Sequence, residues 1–196
     1  MKAILMSIHP QWCEKIFNGS KTIEVRKSRP SIPTPFKVYV YQTKHKGGKA
    51  IMSEVLNSVY GGGKVIGSFV CDRIVDIQSN GDDCGNYWHE WDDECGIEAM
   101  CLSYEELETY LGKSVGYGWH ITEPKLFEKP RELGEFCVPC KKYNDSELHC
   151  MEWDCEHYSF FSCANGDTEE ECLCNGNKPL RRPPQSWVYC ETIDEK

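Results

Sequence analysis

Three charged side chains, Lys21, Glu24 and Arg26, fall within the run Asn18-Gly19-Ser20-Lys21-Thr22-Ile23-Glu24-Val25-Arg26-Lys27. Each residue type offers a different chemistry. An exposed lysine holds a phosphate as a point charge, whereas a partly buried one loses basicity and becomes a proton acceptor. Glu24 could activate a water as a general base. Arg26, two residues on, could pair with Glu24 or reach a phosphate with its planar fork. Three readings stay open: a solvated charge network, a ligand-binding site, or an acid–base pair with Lys21 and Glu24 as catalytic residues.

A second concentration of reactive groups lies near the C-terminus. Of the 13 cysteines, Cys137, Cys140, Cys150, Cys155, Cys163, Cys172 and Cys174 share one stretch, while the first 70 residues hold only Cys13. Cys137-Val138-Pro139-Cys140 has the spacing with which two thiolates grip one tetrahedral metal. Cys150 and Cys155 are the next pair, with Cys163, His149 and His157 as further candidates. The segment has few aliphatic residues and needs a staple to fold. One structural Zn²⁺ held by Cys137, Cys140, Cys150 and Cys155 is therefore expected. An odd cysteine count with no secretory leader argues against a disulfide framework.

The elements that must position the charged run are legible around it. Residues 2–8 are a short apolar run, a buried strand. Pro10 suits the first position of a helix, Trp12, Cys13, Ile16 and Phe17 recur at helical spacing, and Gly19 supplies the stop. Thr22 to Lys27 then alternates as a strand does, with Ile23 and Val25 on one face and Glu24 and Arg26 on the other. Further strands are expected over 36–41, 64–77, 117–127 and 186–191. Ser103 and Glu106 form a capping box, and Leu102 and Leu107 a hydrophobic staple, for a helix that ends at Gly112. The stretch 79–99 is acidic, glycine-containing and aromatic. Many short strands, two short helices and abundant turns imply a small twisted barrel or an α+β domain.

Composition narrows the function classes. The net charge of −9 argues against a general nucleic-acid-binding surface. The average hides a gradient, however: the first 50 residues carry ten lysines or arginines against Glu14 and Glu24 alone. A basic region on an acidic body can still bind an anion locally. The sequence has no run of 18 apolar residues, so neither a membrane span nor a membrane partner is expected, and a cytoplasmic location is.

Gly19-Ser20-Lys21-Thr22-Ile23-Glu24-Val25-Arg26 resembles the G-x-K-x-x-E-x-R signature of ASCH domains, members of the PUA-like superfamily of RNA-associated barrels. The opening Ile4-Leu5-Met6-Ser7-Ile8, the segment from Gly63 to Phe69 and the segment from Gly116 to Ile121 are similar to strands of that family. The ending Arg182-Pro183-Pro184-Gln185-Ser186-Trp187 looks like that of short ASCH proteins from phages and Gram-positive bacteria. The resemblance covers about residues 1–130 and 180–192, with 137–180 as a cysteine-rich insertion in a single domain spanning 1–196.

The resemblance implies a five- or six-stranded PUA-like barrel with flanking helices and a cleft beside the motif. Its implied ligand is RNA or a modified nucleoside or nucleotide. Ser7, Lys21, Glu24 and Arg26 would line that cleft, with Tyr41, Trp119 and Trp187 as stacking partners. His9 could add a hydrogen bond to a base edge. One branch of the family hydrolyses the amide of an acetylated cytidine, with a lysine matching Lys21 and a threonine nucleophile where Glu24 stands here. That departure leaves the chemistry open, and the leading expectation is binding of RNA or a nucleotide through Lys21, Arg26 and aromatic partners. A small hydrolase, either an amidohydrolase or a ribonuclease, is the alternative. A third reading is a protein-interaction module that uses the cysteine-rich insertion.

Overall fold

The computed structural model describes residues 2–44, 51–53, 58–60, 62–91, 96–139, 143–144, 149–150, 158–162, 168–172 and 177–193. Strand β1 (Lys2–Ile8) leads through helix α1 (Pro10–Phe17) to β2 (Ile23–Arg26) and β3 (Phe36–Gln42). Then come β4 (Lys64–Gly81), β5 (Tyr87–Trp91), helix α2 (Tyr104–Leu111), β6 (Gly116–Arg131) and β7 (Trp187–Glu191). These strands make one seven-stranded mixed sheet in the order β7-β1-β3-β4-β6-β2, with β5 paired to the far end of β4. Only β1 and β3 run parallel; the other pairs are antiparallel.

The α+β expectation holds, and the main sheet has one strand more than the six expected. The extra strand is β5, which lies inside the acidic 79–99 stretch. Its hairpin is closed by Asp82, whose carboxylate accepts the backbone N–H groups of Cys84 at 3.0 Å and Asn86 at 2.9 Å. An aspartate that caps its own loop in this way makes the turn that the stretch's polar composition conceals.

The sheet curls until its two edges meet, and side chains rather than a backbone ladder span the seam. The Arg26 guanidinium on β2 donates to the Ser7 carbonyl at 2.8 Å and to Ser186 Oγ at 3.4 Å. Trp187 Nε1 on β7 donates to Ser28 Oγ at 3.0 Å, and the Ser31 N–H donates to the Tyr189 hydroxyl at 2.7 Å.

Three apolar clusters fix the strand faces. Ile4, Met6 and Ile8 pack with Val38, Phe69 and Trp119 on the inner face. Ala3 and Leu5 turn to the other face, against Tyr39, Phe127 and Phe136. Burial on both sides explains why β1 reads as a continuous apolar run instead of an alternating one. Ile23 and Val25 of β2 pack against Ile97, Met100, Leu107 and Leu111. That contact leaves Glu24 and Arg26 on the opposite face.

The segment expected to be an insertion is bounded by a short antiparallel ladder on the outer face. Cys137–Pro139 pairs with Asn177–Pro179, in the register Cys137 to Pro179, Val138 to Lys178 and Pro139 to Asn177. Val138 and Phe136 are buried in the outer cluster. Of the expected metal ligands, Cys137 is half-buried with a free thiol. Cys140, Cys155 and the side chain of Cys150 lie outside the described residues, as do Cys163, Cys174, His157 and the side chains of His149 and Cys172. Among the described residues, no group of three or more His, Cys, Asp or Glu could hold a metal ion. No helix among them is long and apolar enough to cross a membrane.

Candidate functional site

The charged run is held in place by its backbone. Helix α1 ends at Asn18, and Gly19 takes φ +80°, a left-handed turn that a side chain would strain. Asn18 Oδ1 accepts the Ser20 N–H at 2.9 Å, and the Lys21 N–H returns to the Lys15 carbonyl at 2.8 Å. Thr22 is clipped on both sides, donating to the Ala99 carbonyl at 2.9 Å and accepting from the Ile121 N–H at 2.8 Å. Lys21 is therefore fixed before β2 begins.

The side chains form a buried chain of charge. Lys21, Glu24 and Arg26 are 2%, 6% and 7% exposed. Lys21 Nζ lies 3.4 Å from Glu24 Oε2, and Arg26 Nη2 lies 2.9 Å from Glu24 Oε1. The ammonium also donates to the Met100 carbonyl and sits 5.1 Å from the centre of the Trp12 ring. Met100 ends a 3₁₀ turn (Ile97–Met100) that closes at Cys101, whose φ of 54° is unusual for a residue other than glycine. Burial at these levels excludes the solvated-face reading of the motif.

The chain of charge lines a cleft of about 850 Å³, within the range of roughly 300–1,000 Å³ typical of ligand pockets. Ser7, His9, Tyr41 and the Pro183–Ser186 segment share its walls. So do Trp12, Thr43, Lys44, Leu102, Glu106 and Tyr110. Burial pushes the phenols of both Tyr41 and Tyr110 above their ordinary range. It pushes up the Cys13 thiol strongly, with the Glu24 carboxylate adding to the effect. The Ser7 hydroxyl donates to the Pro184 carbonyl at 2.6 Å, so it braces the wall. His9 Nδ1 and Thr43 Oγ1 share a hydrogen bond of 3.1 Å.

Five of the seven expected ligand residues therefore meet at one cleft: Ser7, Lys21, Glu24, Arg26 and Tyr41. The two tryptophans do not line it. Trp119 stands opposite Glu24 in the β2–β6 ladder, and its indole is fully buried, 5.5 Å from Phe36 and 5.7 Å from Trp187 between ring centres. Trp187 is half-buried and committed to the seam through Ser28. The aromatic walls are instead Trp12 and Tyr110, each on the face of a short helix. Trp12 was visible only as a helical apolar position and Tyr110 as a late residue of α2. No local pattern says that those two helices flank one strand.

The model of the ASCH domain family matches residues 6–131. Among solved structures, the chain is similar to the ASCH protein of Zymomonas mobilis, with 16% identity and a TM-score of 0.45 over 67% of this chain and 73% of the other. It is also similar to two point mutants of that protein, each at 18% identity and a TM-score of 0.43. These cover 67% and 68% of this chain and 74% and 77% of the mutants. No curated protein matches the sequence. The mostly-sheet α+β body with its mixed sheet and two helices fits the ASCH/PUA-like fold. With more than half of its residues inside the family match, the chain belongs to the ASCH domain family.

Proposed function

We propose that this protein binds RNA or a nucleotide in the cleft beside β2. ASCH domains are generally associated with RNA binding, and the local observation that supports the reading here is the Lys21–Glu24–Arg26 chain. It places two cations and one carboxylate, all nearly buried, at the wall of a cleft flanked by Trp12, Tyr41 and Tyr110. Cations meet phosphate, and rings offer faces on which a base can stack. Acid–base catalysis has weaker support. Each Glu24 oxygen already faces a cation, and the Lys21 ammonium already serves Glu24 and the Met100 carbonyl. Hydrolysis of a modified nucleoside or RNA therefore ranks second.

The test is equilibrium binding of short single-stranded RNAs and nucleotides to the native protein and to Lys21→Met, which keeps the apolar stem and removes the charge. Affinity that weakens at least about tenfold in the variant and falls with salt supports the reading. Equal affinity in the two proteins, or none in either, overturns it. A turnover screen with the same ligands decides between binding and hydrolysis. For the insertion, the proposal is one structural Zn²⁺ on Cys137, Cys140, Cys150 and Cys155. Metal analysis of the purified protein should give one zinc per chain, and Cys137→Ser should lower it.

A further inference from the structure

The charges at the base of the cleft do not balance. Lys21 and Arg26 contribute two positive charges and Glu24 one negative, and all three are under a tenth exposed. A buried charge without a partner costs several kcal/mol, so such a site is most stable when an anion enters it.

The described residues around it do not supply that anion. Among the described lining residues, the other carboxylate is Glu106, which is exposed and accepts the Ser103 N–H at 2.8 Å in the α2 capping box. Lys44, also exposed and also lining the cleft, offsets it. The Cys13 thiol and the Tyr41 and Tyr110 phenols also supply no anion, since each is neutral at pH 7 and desolvation pushes it further from ionising.

One unused donor belongs to the same set of side chains. Arg26 Nε–H is buried and has no protein acceptor among the described residues, although the other arms of the guanidinium meet Glu24, Ser7 and Ser186. A buried donor with no protein acceptor is one that a ligand oxygen can complete. Helix α1 also begins at the cleft. His9 and Trp12 line it, and no side chain caps the helix start, so its partial positive charge adds to the field.

We infer that the base of this cleft is a subsite for a terminal phosphate monoester, the phosphorylated end of an RNA or the phosphate of a mononucleotide. The inference deepens the binding reading above and rests on it. Burial selects an end over an internal linkage. An internal phosphodiester carries chain on both sides and a single negative charge, whereas a terminal monoester enters by one connection and carries up to two. The base or ribose behind it then lies between Trp12 and Tyr110.

The experiment uses the native protein, so folding of a variant does not enter. Three oligoribonucleotides of one sequence are compared, one with a 5′-phosphate, one with a 3′-phosphate and one with hydroxyls at both ends. A nucleoside 5′-monophosphate is compared with its nucleoside, and inorganic phosphate serves as a competitor. One phosphorylated end should bind at least about tenfold more tightly than the hydroxyl form, a gain typical of charge-assisted hydrogen bonds, and inorganic phosphate should erase the difference. Equal, measurable affinity for all three oligonucleotides overturns the subsite and leaves RNA binding standing. Binding of the mononucleotide and phosphate without any oligonucleotide keeps the subsite and overturns RNA as the ligand. No binding of any probe overturns both.

Discussion

Glu24→Gln removes one charge and almost no volume, so it isolates the electrostatics of the cleft. In the native chain Glu24 faces Arg26 at 2.9 Å and Lys21 at 3.4 Å. At an effective dielectric of about 20, those separations correspond to gross attractions of about 6 and 5 kcal/mol. Desolvation of all three groups cancels much of that, and removing one partner of a buried pair typically costs about 3–5 kcal/mol. The amide oxygen of glutamine still accepts from Arg26, which places the expected loss near the lower end, about 3 kcal/mol. For a domain of this size that is a fall in Tm of about 6–12 °C. Chemical denaturation followed by tryptophan fluorescence measures it directly. The control is Asp76→Asn. Asp76 pairs with Arg29 at 3.2 Å, but both side chains are 53% exposed, and such pairs contribute about 1 kcal/mol or less. Similar distances with different burial should therefore give different losses. If Glu24→Gln costs no more than Asp76→Asn, the idea of a buried, interdependent charge chain is wrong.

Other perturbations probe the frame around the cleft. Burial pushes the thiols of Cys71 and Cys190 from 9.0 up to about 12, and that of Cys13 higher. The folded chain then holds these protons while the unfolded chain releases them. Stability should be level below pH 9 and fall as pH rises from 9 towards 12, by up to about 1.4 kcal/mol per pH unit for each thiol. Denaturation midpoints across that window test this, and an unchanged midpoint up to pH 10.5 refutes it. Trp119→Phe should destabilise by about 2 kcal/mol through a cavity beside Phe36 while leaving ligand affinity intact; a large affinity loss at unchanged fold would return Trp119 to the binding surface. Gly67→Ala should cost more than about 2 kcal/mol in the same denaturation assay, because its new Cβ would strike the Lys125 carbonyl and the Phe17 ring. Ser103→Ala should lower stability by about 1 kcal/mol through loss of the α2 cap, which accepts the Glu106 N–H at 3.1 Å.

Features determined over a few residues were readable in the chain. Pro10 and Gly19 bound α1, Ser103 and Glu106 start α2, and the alternation of Ile23, Glu24, Val25 and Arg26 assigns the faces of β2. Features determined by register or by contact between distant elements were not. Trp119 reads as a strand aromatic in any register. Its pairing opposite Glu24 and its contact with Phe36 put it in the core. Conversely, Tyr110 becomes a cleft wall only because α2 packs Leu107 and Leu111 onto Ile23 and Val25. The net charge of the chain says little about the cleft for the same reason. It averages over the whole sequence, whereas the cleft is built from Lys21, Arg26 and a few neighbours brought together by folding.

The neck at Cys137–Pro139 and Asn177–Pro179 has a consequence for how the chain can change length. Residues 140–176 join the two arms of that ladder, and none of the described ones among them contributes a strand to the main sheet. Replacing them by a turn of about four residues should alter loop-closure entropy by only about 2 kcal/mol, in the favourable direction. The barrel can thus lose, lengthen or exchange that excursion without re-registering a strand of the cleft. Such a neck is a port at which a lineage can graft new segments, and at which an engineer can insert a reporter or an affinity tag.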